Sequence, residues 1–341
     1  MRKGLLDNWE TPLCAIGGRM GRAGRAPVAT WAPWLLLLAL ASSAAIECLW
    51  GRGSSSDRAC AGEMSAEGAP AGHSRPIARR IVTLAPSLTE TAAALGLTDR
   101  LVGVTRYCDD PPEVTSLPKV GGYFDVNFEA IVSLQPDMVL LLTEHEQSYA
   151  AFSKLRLPRV VVSHQTVDGI LESIPQIGAA CGAEDAARTL VADIRTRLNR
   201  IAERTAGLPR PRVLLVVDRA PDDAIRDCYV AGTDDYFERI IELAGGQNAC
   251  RVTTVRFPVL AAEGIVWMDP DVIVDLSAAL AGEPDDVARH MAAWRQLPRL
   301  SAVRQGRVHP LVASYAFRPS PRVIELVERL SEILHPGALA P

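Results

Sequence analysis

The stretches EAIVSLQPDMVL at 129–140 and EGIVWMDPDVIV at 263–274 are nearly one sentence written twice, 134 positions apart. Each carries Glu-x-Ile-Val-x-x-x-Pro-Asp and then an apolar run. Ile and Val fall on one face of a short helix, Pro-Asp makes a turn, and the run that follows reads as a buried strand. Two readings of the repeat stand open. A helix-turn-strand unit used in both halves of a fold repeats for packing reasons alone. Alternatively, the two glutamates do the same job in two places. Glu129 stands two residues after Asn127, where a carboxylate favours the start of a helix capped by asparagine. Glu263 follows VLAA, with no polar cap to explain it.

Outward from these copies the chain alternates strand and helix signals. Before the first copy come RIVTL, a Pro-Ser break, a helical pattern to Leu97, and LVGVT at 101–105. After it come a helix, RVVVS at 159–163 and a helix from Val167. The alternation restarts with RVLLVV at 212–217, a helix within 234–246, DVIVDL at 271–276, RVHPL at 307–311 and a closing helix begun by Ser320-Pro321. Such alternation predicts parallel sheets. Between the halves, 183–206 contains no Gly or Pro and keeps Leu190, Ile194, Leu198 and Ile201 on one face. At 1.5 Å per residue this helix spans roughly 35 Å. The expected class is α/β, two Rossmann-like lobes with central parallel sheets joined by one long rigid helix. The lobes are 79–182 and 207–341, and a ligand cleft lies between them.

Composition fits that picture. With 341 residues, 48% hydrophobic and 22% charged, the chain is ordinary globular protein, long enough for two domains. A net charge of -4 and the lack of a basic block in the globular part argue against nucleic acid. Residues 1–47 differ in kind. Five basic side chains precede WAPWLLLLALASSAAI, an apolar run of 16 residues, below the roughly 20 that span a bilayer. This is the layout of a secretory signal, with an uncleaved anchor as the alternative, and a start at Met20 gives a signal of normal length. Residues 48–78, rich in Gly, Ser and Ala, read as a flexible tether. Glu47 before Cys48, and Asp57 and Arg58 before Cys60, argue against lipidation. No Cys-x-x-Cys pair points to zinc. Cys228 and Cys250 are a plausible disulfide pair in an oxidising compartment.

Beyond the repeat, five motifs occur in order: RIVTLAPSLTETAAALG, YCDDPP, VGGYFDVNFEAIVSLQPDMVL, AAEGIVWMDPDVIV and FRPSPRVIELVERLSEILHP. Together they resemble, over 79–338, the class of periplasmic binding proteins whose two lobes are joined by a rigid helix. These serve ABC importers of vitamin B12, ferric siderophores, heme and some metal ions. The resemblance implies an exported receptor, monomeric, periplasmic or on the extracytoplasmic face of the membrane. It also implies docking onto an ABC importer permease dimer through one glutamate per lobe, Glu129 and Glu263. A two-fold permease presents two equivalent basic pockets, so two equivalent carboxylates suit it.

Ligands of open α/β sheets sit beyond the carboxyl ends of the strands. That rule selects Pro86, Ser87, Tyr107, Cys108, Asp109, Tyr123, Phe124, Glu144, His145, Phe257, Tyr315, Phe317 and Arg318 as ligand-binding candidates, with Asp218 and Arg219 nearby. Apolar walls with a few polar groups describe a cleft for a large ligand. The resemblance is strongest to vitamin B12-binding members, and cobalamin is bulky, close to neutral and rimmed with amides. One departure is Ser314, where such members can carry an acidic residue. A ferric siderophore or heme is the alternative. Arg106, Arg219, Arg256 and Arg318 could meet an anionic chelate, and His145, His164 or Tyr107 could serve heme. No metal site of the protein's own and no cofactor is expected. An enzyme is the distant alternative. The sequence offers no Gly-x-Ser-x-Gly elbow, phosphate loop or His-Glu-x-x-His, and paired carboxylates in separate lobes do not converge for acid-base work.

Overall fold

The computed structural model describes residues 77–148, 151–219, 224–233, 236–276 and 284–338. The expectations about the signal, the tether, Cys48 and Cys60 lie outside the described residues. In the first half the elements are β1 (Ile81–Thr83), α1 (Pro86–Ala94), β2 (Leu101–Val104), α2 (Phe128–Ser133), β3 (Met138–Leu142), α3 (Thr143–Ser148), α4 (Ala151–Leu155), β4 (Arg159–Val162) and α5 (Val167–Cys181). Then comes α6 (Glu184–Thr205). The second half holds β5 (Arg212–Asp218), β6 (Cys228–Val230), α7 (Phe237–Leu243), β7 (Gln247–Asn248), β8 (Val259–Leu260), α8 (Ala262–Met268), β9 (Val272–Asp275), α9 (Pro284–Ala292), α10 (Ser301–Arg304), β10 (Val308–Pro310) and α11 (Val323–Leu334).

Four strands in the order β2-β1-β3-β4 make the first sheet, and every pairing is parallel. The second sheet runs β10-β9-β5-β6-β8, with β7 also on β5. It is parallel from β10 to β5, whereas β6 and β8 pair antiparallel. The alternating pattern does not lead one to expect this antiparallel flank, because strands of two or three residues are too short for a periodicity to register. In both sheets the repeated strand lies beside the first strand of its half: β3 beside β1, β9 beside β5. The two halves thus share a layout as well as a motif.

The linking helix α6 starts with Glu184 and Asp185 and carries Arg204 in its last turn, charges that suit the helix dipole. Ala187, Ile194 and Ile201, seven residues apart, are its fully buried positions, and Leu190, Val191 and Leu198 pack beside them. This stripe joins one hydrophobic core that runs from Ile81 and Leu140 to Val213, Val274 and Leu330. The helix packs against α5 on the first half and α7 and α11 on the second. Arg197 adds a two-pronged bond to Glu328 of α11, Nε to Oε1 at 2.8 Å and Nη2 to Oε2 at 2.6 Å.

Two expectations need correction. Cys228 and Cys250 are separate buried thiols within one apolar cluster, not a disulfide. Ser320 does not begin the closing helix, which starts at Val323. Its hydroxyl is turned toward another part of the molecule.

Candidate functional site

The repeated motif divides cleanly into structural and unengaged parts. Ile131 and Ile265 are fully buried at corresponding positions. Gln135 and Asp269, also corresponding, adopt left-handed backbone with φ of 45° and 41°, which turns each chain from helix to strand. The next Asp then pins the adjacent first strand. Asp137 accepts from the amides of Arg79 and Arg80, both at 2.8 Å, and Asp271 accepts from the amide of Arg212 at 2.7 Å. Glu129 and Glu263 are different. Both are exposed, and among the described residues neither makes a hydrogen bond or an ion pair. Asn127 caps α2 by accepting from Ala130 N at 3.0 Å, while α8 opens on Ala261 without a side-chain cap. Packing accounts for Ile, Pro and Asp. It leaves the glutamates no structural task beyond the favourable place of a carboxylate in the first turn of a helix.

The cleft residues form three groups. In the first, Tyr123 and Phe124 meet edge to face, ring centres 4.8 Å apart, and Tyr123 also lies 4.6 Å from the His145 ring. The ring of Tyr107 stands against Gly122, and Arg106 pairs with Asp125, so loops 106–111 and 121–125 hold each other. In the second group, Arg318 Nη1 donates to Glu90 Oε1 at 3.1 Å and lies 2.7 Å from Asp109 Oδ1, while the Ser320 hydroxyl donates to Glu90 Oε2 at 2.6 Å. Glu90 belongs to α1 and Arg318 to the segment before α11, so this latch ties one half to the other. Burial pushes the Glu90 carboxyl up, against the opposing bonds from Ser320 and Arg318. In the third group, Arg322 bonds Asp110 at 2.5 Å and stacks over Tyr315, 4.5 Å from the ring centre.

Several expected ligand contacts lie elsewhere. Cys108 is 2% exposed, with its sulfur within 3.0 Å of Thr89 Oγ1 and 3.1 Å of Thr105 Oγ1. Ser87 is buried and its hydroxyl lies 3.1 Å from His164 Nδ1. His145 is fully buried and accepts the Leu142 amide at 3.1 Å on Nδ1. These three therefore have too little accessible surface to meet a ligand. Arg219 is likewise interior, bonded to Asp275 at 2.9 Å, with Trp294 Nε1 on the same carboxylate. Phe257 packs on Phe237, ring centres 6.1 Å apart, and is half-buried, so it too keeps accessible surface. Pro86, Tyr107, Asp109, Tyr123, Phe124, Glu144, Tyr315, Phe317 and Arg318 all keep accessible surface. Glu144 accepts from Gln165 Nε2 at 2.9 Å.

Sequence reasoning missed Glu90, Ser320, Arg322 and Asp110. A carboxylate amid the small residues of TETAAA was the available signal. A helix face built from Ala and Thr has no apparent use for a charge unless something cationic meets it.

Against known proteins, the family model described as periplasmic binding protein matches residues 81–314. The chain belongs to that family. This binding protein is 33% identical over 269 residues to an uncharacterized ABC transporter substrate-binding lipoprotein of Bacillus subtilis, covering 76% of this chain and 80% of that one. The crystal structure of the periplasmic vitamin B12 binding protein of Vibrio cholerae superposes with a TM-score of 0.64 at 27% identity, covering 75% of this chain and 96% of that one. The periplasmic heme-binding protein of Roseiflexus superposes with a TM-score of 0.63 at 25% identity, covering 76% and 99%. The binding protein is accordingly a solute receptor of an ABC importer and not an enzyme. Its two lobes are those of this class.

Proposed function

We propose that this binding protein captures a corrinoid of the vitamin B12 type between its lobes and delivers it to an ABC importer permease, docking through Glu129 and Glu263. The choice of cargo rests on one observation: Arg106 and Arg318, two of the arginines beside the expected ligand contacts, are already neutralised. Arg106 pairs with Asp125 and Arg318 with both Glu90 and Asp109, while Arg219 is held inside the core by Asp275. An anionic chelate would have to displace these carboxylates, whereas a near-neutral, amide-rimmed ligand has no such competitor. The half-buried Tyr107, Tyr123, Tyr315 and Phe317 supply apolar wall for it. In this reading the protein is exported, acts as a monomer on the extracytoplasmic side, and needs no cofactor of its own.

Heme is the second reading, favoured by the similarity to a heme-binding structure. Of the candidates His145, His164 and Tyr107, Tyr107 is the one with accessible surface for an axial bond. His145 is sealed in the core, and His164 is clamped between Ser87 at 3.1 Å and Ser173 at 2.8 Å. Calorimetric titration with cyanocobalamin, hemin and a ferric hydroxamate decides the matter. Sub-micromolar binding of cyanocobalamin alone is expected. Tight binding of hemin or the iron chelate with none of the corrinoid would overturn the cargo and leave the transport role standing.

A further inference from the structure

The two copies of the motif agree in their glutamates and in an exposed valine, Val132 at 48% and Val266 at 37%. They disagree one residue later. The first copy has Ser133, whose hydroxyl folds back to donate to the Ala130 carbonyl at 2.8 Å. The second has Trp267, 89% exposed, the barest large apolar side chain among the described residues. Trp267 follows Glu263 by four positions on α8, so the ring and the carboxylate share one helix face.

We propose that Trp267 is an apolar anchor for the permease, seated in a pocket beside the cation that receives Glu263. The proposal rests on the docking role of the two glutamates. An indole covered on binding removes some 150–250 Å² from water, and tryptophan dominates the energetics of protein interfaces. The neighbouring charges select the occupant. Glu263, one turn before the ring, carries no ion pair among the described residues. Asp269 and Asp271, just after the ring, are engaged by Ser301 and by the Arg212 amide, with Arg212 and Arg304 close to Asp269. The free charge beside the ring is therefore the Glu263 carboxylate, which suits a protein face bearing arginine or lysine. A two-fold permease necessarily carries this pocket twice. One copy receives Trp267, and the other faces Ser133. Docking is therefore symmetric in charge and one-sided in apolar contact.

This geometry makes an unusual demand: the second pocket can be filled by mutation. The full-length chain, carrying a photo-crosslinking phenylalanine analogue at position 132, 266 or 267, is irradiated in its own host and the crosslinked subunit is identified by mass spectrometry. The permease so identified is placed in nanodiscs and its affinity for variants is measured. Position 267 is expected to crosslink to the subunit reached from 266. W267A should weaken docking at least tenfold with an unchanged melting temperature, and S133W should tighten it. If E263R abolishes docking but W267A and S133W leave affinity unchanged, the anchor is refuted and the docking carboxylates stand. If E129R and E263R also change nothing, or no permease subunit is reached from 132 or 266, the docking reading falls and the anchor with it. Loss of binding to phosphatidylglycerol-phosphatidylethanolamine vesicles in W267A, without loss at the permease, would assign the ring to the membrane and overturn the proposal.

Discussion

His164 spans the interior of the first lobe between two hydroxyls. Ser173 donates its own proton to the Ile170 carbonyl at 2.7 Å, so it accepts from Nε2, and Nδ1 is left to accept from Ser87. The neutral ring satisfies both contacts, and burial lowers its pKa from 6.5 to about 4. A base with a depressed folded pKa stabilises the fold above its unfolded value and loses that contribution as pH falls from 6.5 toward 4. About 2 kcal/mol should therefore disappear between pH 7.5 and pH 5. Burial pushes His145 in the same direction. Glu90, raised by burial, has the opposite sign: its protonated form favours the fold below 4.5, so it recovers part of the loss at the acid end. Denaturant unfolding of His164→Gln at the two pH values should show a flatter profile than the parent. An equal loss in both proteins would clear His164 of the role. None of this was legible beforehand. HQTVDG shows a histidine at a strand end, the same signature as a ligand-facing residue, and only the fold reveals that Ser87 and Ser173 close over it.

Among the elements, α6 was the plainest in the sequence and is found at Glu184–Thr205. Twenty-odd residues without Gly or Pro leave the backbone one regular option, and charged ends mark the limits. The antiparallel flank of β6 and β8 was invisible for the opposite reason, since so few residues carry no period. The repeat was legible as a unit but not in its division of labour, which needed the bonds of Asp137 and Asp271. Because Ile194 sits mid-stripe in a core shared by both halves, Ile194→Ala should cost about 3 kcal/mol. Unfolding should remain a single transition, since the core along α6 is shared, although each half also holds a smaller apolar cluster of its own. Fluorescence and circular dichroism curves that separate in the variant would show instead that the lobes melt independently.

For the whole molecule, the proposed docking rests on two exposed charges that make no ion pair within the described residues. Reversing Glu129 or Glu263 to arginine should cut uptake in cells at least tenfold while leaving ligand affinity within about twofold, because neither side chain supports the structure or the cleft. Loss of ligand binding in either variant would show that these positions serve the cleft after all. The scaffold was readable at this scale because five motifs in order span it. The cleft was only half readable: its wall is made by loops whose aromatic residues announce themselves, while the latch of Glu90, Arg318 and Ser320 joins positions 228 and 230 residues apart. That latch, together with a helix bonded into both halves, leaves the filled and empty receptors little room to differ in outline. A permease reading outline and charge alone would then give both forms a similar welcome. Surplus empty receptor should act as a decoy, and cells making too much of it in scarce ligand should import more slowly than cells making enough.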